Sequence, residues 1–151
     1  MPIIFTKGCE YALQSVLYLA SMPDCTPVFQ RDISTALMIP PHFLGKVLQA
    51  LARNGLVTSQ KGKTGGFVLS KAAKDISPYD IIAAIDGPAF LNKCVVGFPG
   101  CDDATPCPMH DQWKKIKQEI VHMLKNKNLE QLSKEMDIKL ESIKKLNPRS
   151  D

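Results

Sequence analysis

A chain of 151 residues is the size of one domain, or of a small domain with an appended oligomerisation element. Its composition, 44% hydrophobic and 23% charged, is ordinary for a globular protein and excludes disorder over the whole chain. No apolar run approaches the length needed to cross a bilayer, and the N-terminus lacks the charged start and cleavage site of a signal peptide, so a cytoplasmic protein without a membrane partner is expected. The formal charge of +4 does not by itself imply nucleic acid. Its distribution says more, because residues 40–75 hold Lys46, Arg53, Lys61, Lys63, Lys71 and Lys74 against the single acid Asp75.

Over residues 6–21, Ala12, Leu13, Val16, Leu17 and Ala20 recur at helical spacing, and Met22, Pro23 and Asp24 end the run. Residues 29–37 predict a short second helix with Ile33 and Leu37 on one face. Pro40 and Pro41 then break the chain and start a third helix to about residue 54, because proline is tolerated in a first helical turn. That helix has Phe43, Leu44, Val47, Leu48 and Leu51 on one side and His42, Lys46, Gln49 and Arg53 on the other, with Gly55 as its C-terminal cap. Phe43, Leu44 and Leu48 are expected in the core. Two helices joined by a tight turn, the second with a polar and basic outer face, have the layout of a helix-turn-helix.

Residues 56–60 and 67–70 suit short strands, and between them Lys61, Gly62, Lys63, Thr64, Gly65 and Gly66 form a turn-prone tip. A hairpin directly after a recognition-like helix is a wing, whose glycines let the backbone approach a phosphate chain while its lysines supply charge. The glycines have neither the P-loop nor the Rossmann spacing, which argues against nucleotide binding. His42 and Lys46 on the helix, and Lys61, Lys63 and Thr64 on the wing, are the candidate DNA-binding residues. The alternative for each is a merely solvated basic face.

Ser77 and Pro78 open a further helix carrying Ile81, Ile82 and Ile85, which Asp86, Gly87 and Pro88 end. Residues 109–125 are the longest uninterrupted helical pattern, with Trp113, Ile116, Ile120 and Met123 or Leu124 three and four apart. Most of this stripe is assigned to the core. An apolar stripe on a long helix beyond a small domain also needs a partner, and a second copy would give a helix-turn-helix protein two half-sites to read. Residues 129–136 predict a short helix, and the Lys-rich tail over 137–151 is expected to fray at its end.

Between the last two long helices, residues 94–110 read CVVGFPGCDDATPCPMH and carry three of the five cysteines. Gly97, Pro99, Gly100, Pro106 and Pro108 make this a bent loop. In a reducing compartment, clustered thiols on such a loop point to a soft metal or an iron-sulfur cluster before structural disulfides. Cys94, Cys101 and Cys107 are one ligand short of a four-ligand site. His110, three residues past Cys107, is the nearest candidate for the fourth, its alternative role being to cover the helix end. Structural zinc is the rival, although the closely spaced cysteine pairs usual at zinc sites are absent, and a metal-free thiol switch is the third reading. No motif for a substrate pocket or an acid-base pair is present, so an enzyme is not expected.

These features together resemble the winged-helix regulators of the Rrf-two family, of the IscR and NsrR type, over nearly the whole chain. The resemblance rests on Glu10-Tyr11-Ala12-Leu13 with Tyr18-Leu19-Ala20, on LARNGLVTSQKGKTGGFVL over residues 51–69, on the helix at 77–87, and on the cysteines leading through CPMHDQW into the long helix. It implies a homodimeric transcription regulator that binds double-stranded operator DNA, with the long helix as dimer interface and a 2Fe-2S or 4Fe-4S cluster on the loop. It also implies a basic wing residue at Lys61, a histidine ligand at His110 in the IscR type, or a carboxylate at Glu10 given across the dimer in the NsrR type. A solvated surface role for Glu10 is the alternative. The wing tip Gly-Lys-Thr-Gly-Gly replaces a frequent Gly-Pro-Gly-Gly-Gly, and six residues separate Cys94 from Cys101 where the IscR type commonly has five. These departures leave DNA sequence preference and cluster type open.

The expected fold is mainly α with a small β-hairpin. Residues 1–88 form a winged helix-turn-helix DNA-binding domain, 89–108 a cysteine-rich sensor loop, and 109–151 a dimerisation helix and C-terminal tail. The expected function is a regulator whose operator affinity follows the iron-sulfur cluster or redox state of the loop, the alternative being a zinc-stabilised or metal-free thiol-switch regulator of the same fold.

Overall fold

The structure is a computed structural model that describes residues 4–23 and 25–147. Asp24, part of the expected helix stop, and the tail end expected to fray lie outside the described residues.

Helix α1 (Lys7–Ser21) begins where the Thr6 hydroxyl accepts the Cys9 N–H at 3.2 Å, and it buries Cys9, Ala12, Ser15, Val16 and Leu19. Helix α2 (Gln30–Leu37) stops at Met38, which takes a left-handed φ of 56°. The next residue, Ile39, drops into the core, and α3 (Pro41–Arg53) starts two residues later. The two helices are pinned by Gln30, whose side-chain amide donates to the Pro41 carbonyl at 2.9 Å. This is the helix-turn-helix expected from the sequence. Leu44, Val47, Leu48 and Leu51 of α3 are buried, but Phe43 is not. It is 42% exposed and sits edge-on against Tyr11, with ring centroids 5.3 Å apart. Its position lies at the margin of the apolar stripe, so it covers α1 rather than entering the core.

Strands β1 (Val57–Gln60) and β2 (Gly66–Leu69) pair antiparallel, with Val57 opposite Leu69 and Gln60 opposite Gly66. The pair is joined to the helices by a bridge in which Val28 and Phe67 exchange backbone hydrogen bonds of 3.0 and 2.8 Å. Gly66, at φ 126°, lies so close to Val28 that a Cβ would meet its carbonyl carbon and oxygen at 2.6 Å. Side chains are excluded there by backbone proximity.

A 3-10 turn (Ala73–Asp75) leads to α4 (Pro78–Ile85), which opens on a Ser77–Asp80 capping box. The long helix α5 (His110–Asn126) follows the loop, and then come α6 (Leu129–Ser133) and α7 (Met136–Leu146). The main core gathers Ile33, Leu44, Leu48, Leu51, Ile76, Ile81 and Leu129, with Leu140 and Ile143 of α7 packed on it. The Leu129 N–H donates to the Ile76 carbonyl at 2.8 Å, so the chain after α5 returns to the N-terminal core. A second cluster, Cys9, Ile82 and Leu124, seats α5 against α1 and α4.

The stripe of α5 therefore divides within one chain. Leu124 is buried and Ile120 half-buried against α4, whereas Ile116 and Met123 are 51% and 60% exposed. Assigning most of the stripe to the core of a single chain overstates it. No helix among the described residues is long and apolar enough to cross a membrane.

Candidate functional site

The segment between α4 and α5 is irregular because its glycines turn it: Gly97 and Gly100 take φ of 91° and 66°. Asp102 fixes the next bend. Its Oδ1 accepts the N–H groups of Ala104 at 2.9 Å and Thr105 at 2.7 Å, while the Thr105 hydroxyl reaches back to the Gly100 carbonyl at 2.9 Å. The start of the segment is tied to α5, since the Trp113 indole N–H donates to the Lys93 carbonyl at 2.9 Å.

Folded this way, the loop brings Cys94, Cys101 and Cys107 together, their Sγ atoms all within 4.8 Å of one another. Cys94 and Cys107 are 3.6 Å apart, and the Cys107 N–H points at the Cys101 Sγ at 3.4 Å. The half-buried thiols differ. Burial raises the Cys94 pKa, but the N–H groups of Phe98 and Val96, the Cys107 thiol and the N–H of Gly97 outweigh it and bring the pKa down to about 7. At Cys101 the Cys107 N–H lowers the pKa, and burial with the two neighbouring cysteines more than offsets it, so the net shift is upward.

His110 opens α5, and its N–H donates to the Cys107 carbonyl at 3.0 Å. Its ring is turned back to the loop. Nδ1 lies 3.4 Å from the Cys101 Sγ, and Nε2 lies 2.8 Å from Asp103 Oδ1. The Lys114 ammonium grips the same carboxylate at 3.0 and 2.8 Å. Lys114 first, and His110 second, hold the Asp103 carboxyl down at about 2. Three converging thiols with an imidazole beside them are the donor chemistry of an iron-sulfur cluster, and the same set suits zinc.

The other sequence candidates lie elsewhere. Glu10 is on α1, half-exposed and paired with Lys7 at 3.1 Å, outside the group formed by the three cysteines. Cys9 is fully buried, and burial followed by Asp86 raises its pKa to about 12, which makes it an inert thiol. Cys25 is exposed in a turn at φ 60°. On the nucleic-acid side, His42 and Lys46 lie one turn apart on the exposed face of α3, with Gln49 and Arg53 continuing that face. Lys61, Lys63 and Thr64 are exposed at the hairpin tip.

Sequence reasoning missed Asp103, Lys114 and the Trp113 tie. The available signal was the four-residue spacing of His110 and Lys114, which puts both on one face of α5, and the acidic pair inside the loop. It also missed the clamp at the other end, where Asp86 accepts the Thr6 N–H at 3.1 Å and its hydroxyl at 2.6 Å. That contact ties the end of α4, just ahead of the loop, to the start of α1.

Comparison with known proteins agrees with this architecture. The chain is 31% identical over 133 residues to the HTH-type transcriptional regulator IscR of Klebsiella pneumoniae, covering 88% of this chain and 80% of the relative. It is 32% identical over 132 residues to an HTH-type transcriptional regulator assigned in Aquifex aeolicus, covering 86% and 91%. Among solved structures it is similar to CymR, the global cysteine regulator of Bacillus subtilis, with a TM-score of 0.75 at 24% identity, covering 90% of this chain and 100% of that one. It is also similar to T. potens IscR, with a TM-score of 0.67 at 24% identity, covering 85% of each. Residues 5–135 match the family model described as Rrf2, iron-dependent transcriptional regulator, and with the helix-turn-helix and hairpin in place this chain belongs to that family of transcriptional regulators.

Proposed function

We propose that the protein is a homodimeric, operator-binding regulator whose DNA affinity is set by the state of the three-cysteine loop. The observation that carries this reading is the convergence of the Cys94, Cys101 and Cys107 Sγ atoms within 4.8 Å on a segment that runs directly into α5. Cys94, Cys101 and Cys107 would hold an iron-sulfur cluster, with His110 Nδ1 as the fourth donor on the strength of its 3.4 Å approach to Cys101. Such a group supplies a cross-link of the loop that depends on iron and on redox conditions. Glu10 is the competing fourth ligand and would have to come from the second subunit.

The division of labour is then threefold. Residues 1–88 read DNA through His42 and Lys46 on α3 and through Lys61, Lys63 and Thr64 on the wing; residues 89–108 sense; and α5 joins two subunits. Support for the dimer comes from Met109, Ile116 and Met123, seven residues apart and 44%, 51% and 60% exposed. That spacing forms a seam along one side of the helix. The loop is tied to both working parts. Trp113 connects its start to α5, and Asp86 connects α4 to the start of α1. A change in the loop thus shifts α5 against the DNA-binding domain, and so the spacing of the two recognition helices.

Anaerobic purification with iron and sulfide assay tests the cluster. Iron and sulfide in the wild type, lost from each of Cys94→Ala, Cys101→Ala and Cys107→Ala, are expected. Zinc without sulfide would replace the cluster by a zinc site. A second reading, a metal-free thiol switch, is favoured by the 3.6 Å between Cys94 and Cys107, and a reversible disulfide between them in metal-free protein would identify it.

A further inference from the structure

We propose that Asp103, anchored by Lys114, is a positioning residue that fixes the ring orientation and tautomer of His110 so that Nδ1 is presented to the thiol site. The inference rests on the reading of His110 as a ligand and adds to it the groups that prepare it. A carboxylate only accepts hydrogen bonds, so the Nε2 atom 2.8 Å from Asp103 Oδ1 must carry the proton and donate it. In the neutral imidazole, Nδ1 is then left with its lone pair, and it is this atom that faces Cys101 at 3.4 Å.

Asp103 is itself held at both oxygens by the Lys114 ammonium, at 3.0 and 2.8 Å. Because Lys114 follows His110 by one helical turn, a single carboxylate can span the two side chains. The next residue back in the loop, Asp102, is fixed by its bonds to Ala104 and Thr105, so the backbone that delivers Asp103 is also held. The His110 ring is covered, 11% exposed, while Asp103 is 70% exposed. An exposed carboxylate directed at a covered imidazole, and braced from the far side, has the arrangement that orients histidine ligands and raises their basicity at metal sites. A simple staple between loop and helix would need only the Lys114 contact.

The test uses the full-length chain, purified without oxygen and loaded with iron and sulfide, as wild type and as Asp103→Ala, Asp103→Asn, Lys114→Met and His110→Ala. The nitrogen-15 shifts of the His110 ring in metal-free protein report the tautomer. Nitrogen hyperfine coupling in the reduced loaded protein reports ligation, and bleaching by a chelator reports retention. In the wild type, Nε2–H is expected to dominate and one nitrogen to couple. Asp103→Ala is expected to lose the tautomer preference and to bleach roughly tenfold faster or more. Asp103→Asn, whose side-chain oxygen still accepts from Nε2–H, is expected to fall between, as is Lys114→Met. If His110→Ala changes neither coupling nor bleaching, histidine is not a ligand and both readings fall. If His110→Ala abolishes the coupling while Asp103→Ala leaves tautomer and retention as in the wild type, the positioning role alone is overturned. Should Asp103→Ala fail to load, the tautomer in its metal-free form and the bleaching of the two milder variants decide the matter in the same way.

Discussion

Cys9 and Cys94 carry the same side chain in opposite settings, one pushed up to about 12 by burial and then Asp86, the other brought down to about 7 against its burial by backbone N–H groups. For Cys9 the consequence is a stability term. Its folded pKa lies above the ordinary 9.0, so the contribution is complete below pH 9 and is lost as the pH rises toward 12. Urea unfolding from pH 8 to 10.5 is therefore expected to show wild type losing stability faster than Cys9→Ala, by up to about 1.4 kcal/mol per pH unit above 9. Parallel pH profiles for the two proteins would contradict it. Lys61 is exposed at the wing tip, and as a proposed DNA-binding residue it would meet phosphate or the minor groove, with phosphate the contact to test. Lys61→Ala should weaken all duplexes alike and reduce the slope of log affinity against log salt by about one. A change confined to one DNA sequence would instead give Lys61 a base-reading role. At this scale the sequence was legible where side chains cluster along the chain, as at Cys94, Cys101 and Cys107. It was not legible for Asp103, whose partners His110 and Lys114 become neighbours only when the loop closes on α5.

Among the elements, the helices read from apolar spacing appear close to their expected limits, because α1, α3 and α4 each bury one stripe on the same core. Helix α7 was missed although Leu140, Ile143 and Leu146 have helical spacing, since its lysines resemble a solvated tail. What makes it a helix is tertiary. Leu140 and Ile143 pack on the main core, and the Asn147 amide donates to the Thr35 carbonyl of α2 at 3.1 Å. The exposure of Ile116 and Met123 could not be read from periodicity, which locates a stripe but not the residues of it that a single chain covers. Replacing both, as Ile116→Asp with Met123→Asp, should yield monomers in sedimentation velocity while the helical circular dichroism persists. A dimer that withstands both charges would remove α5 as the interface.

For the whole molecule, the state of the cysteine loop is proposed to set the affinity of the helix-turn-helix and wing for DNA. The physical connection runs from the cysteines through His110 and Trp113 into α5, and through Asp86 and Thr6 into α1, which packs against α3. Coupling between two such sites is typically about 1 to 3 kcal/mol, or 5- to 150-fold in affinity. Duplex DNA selected from a random pool by anaerobically loaded protein provides the probe, and its affinity at one fixed salt concentration is the decisive measurement, made with the loaded protein, the same protein after cluster removal, and Cys101→Ala. Loading is expected to change the wild-type affinity by at least about fivefold, and Cys101→Ala to stay at the cluster-free value whether or not iron and sulfide are supplied. Equal affinity in all three states would contradict this coupling.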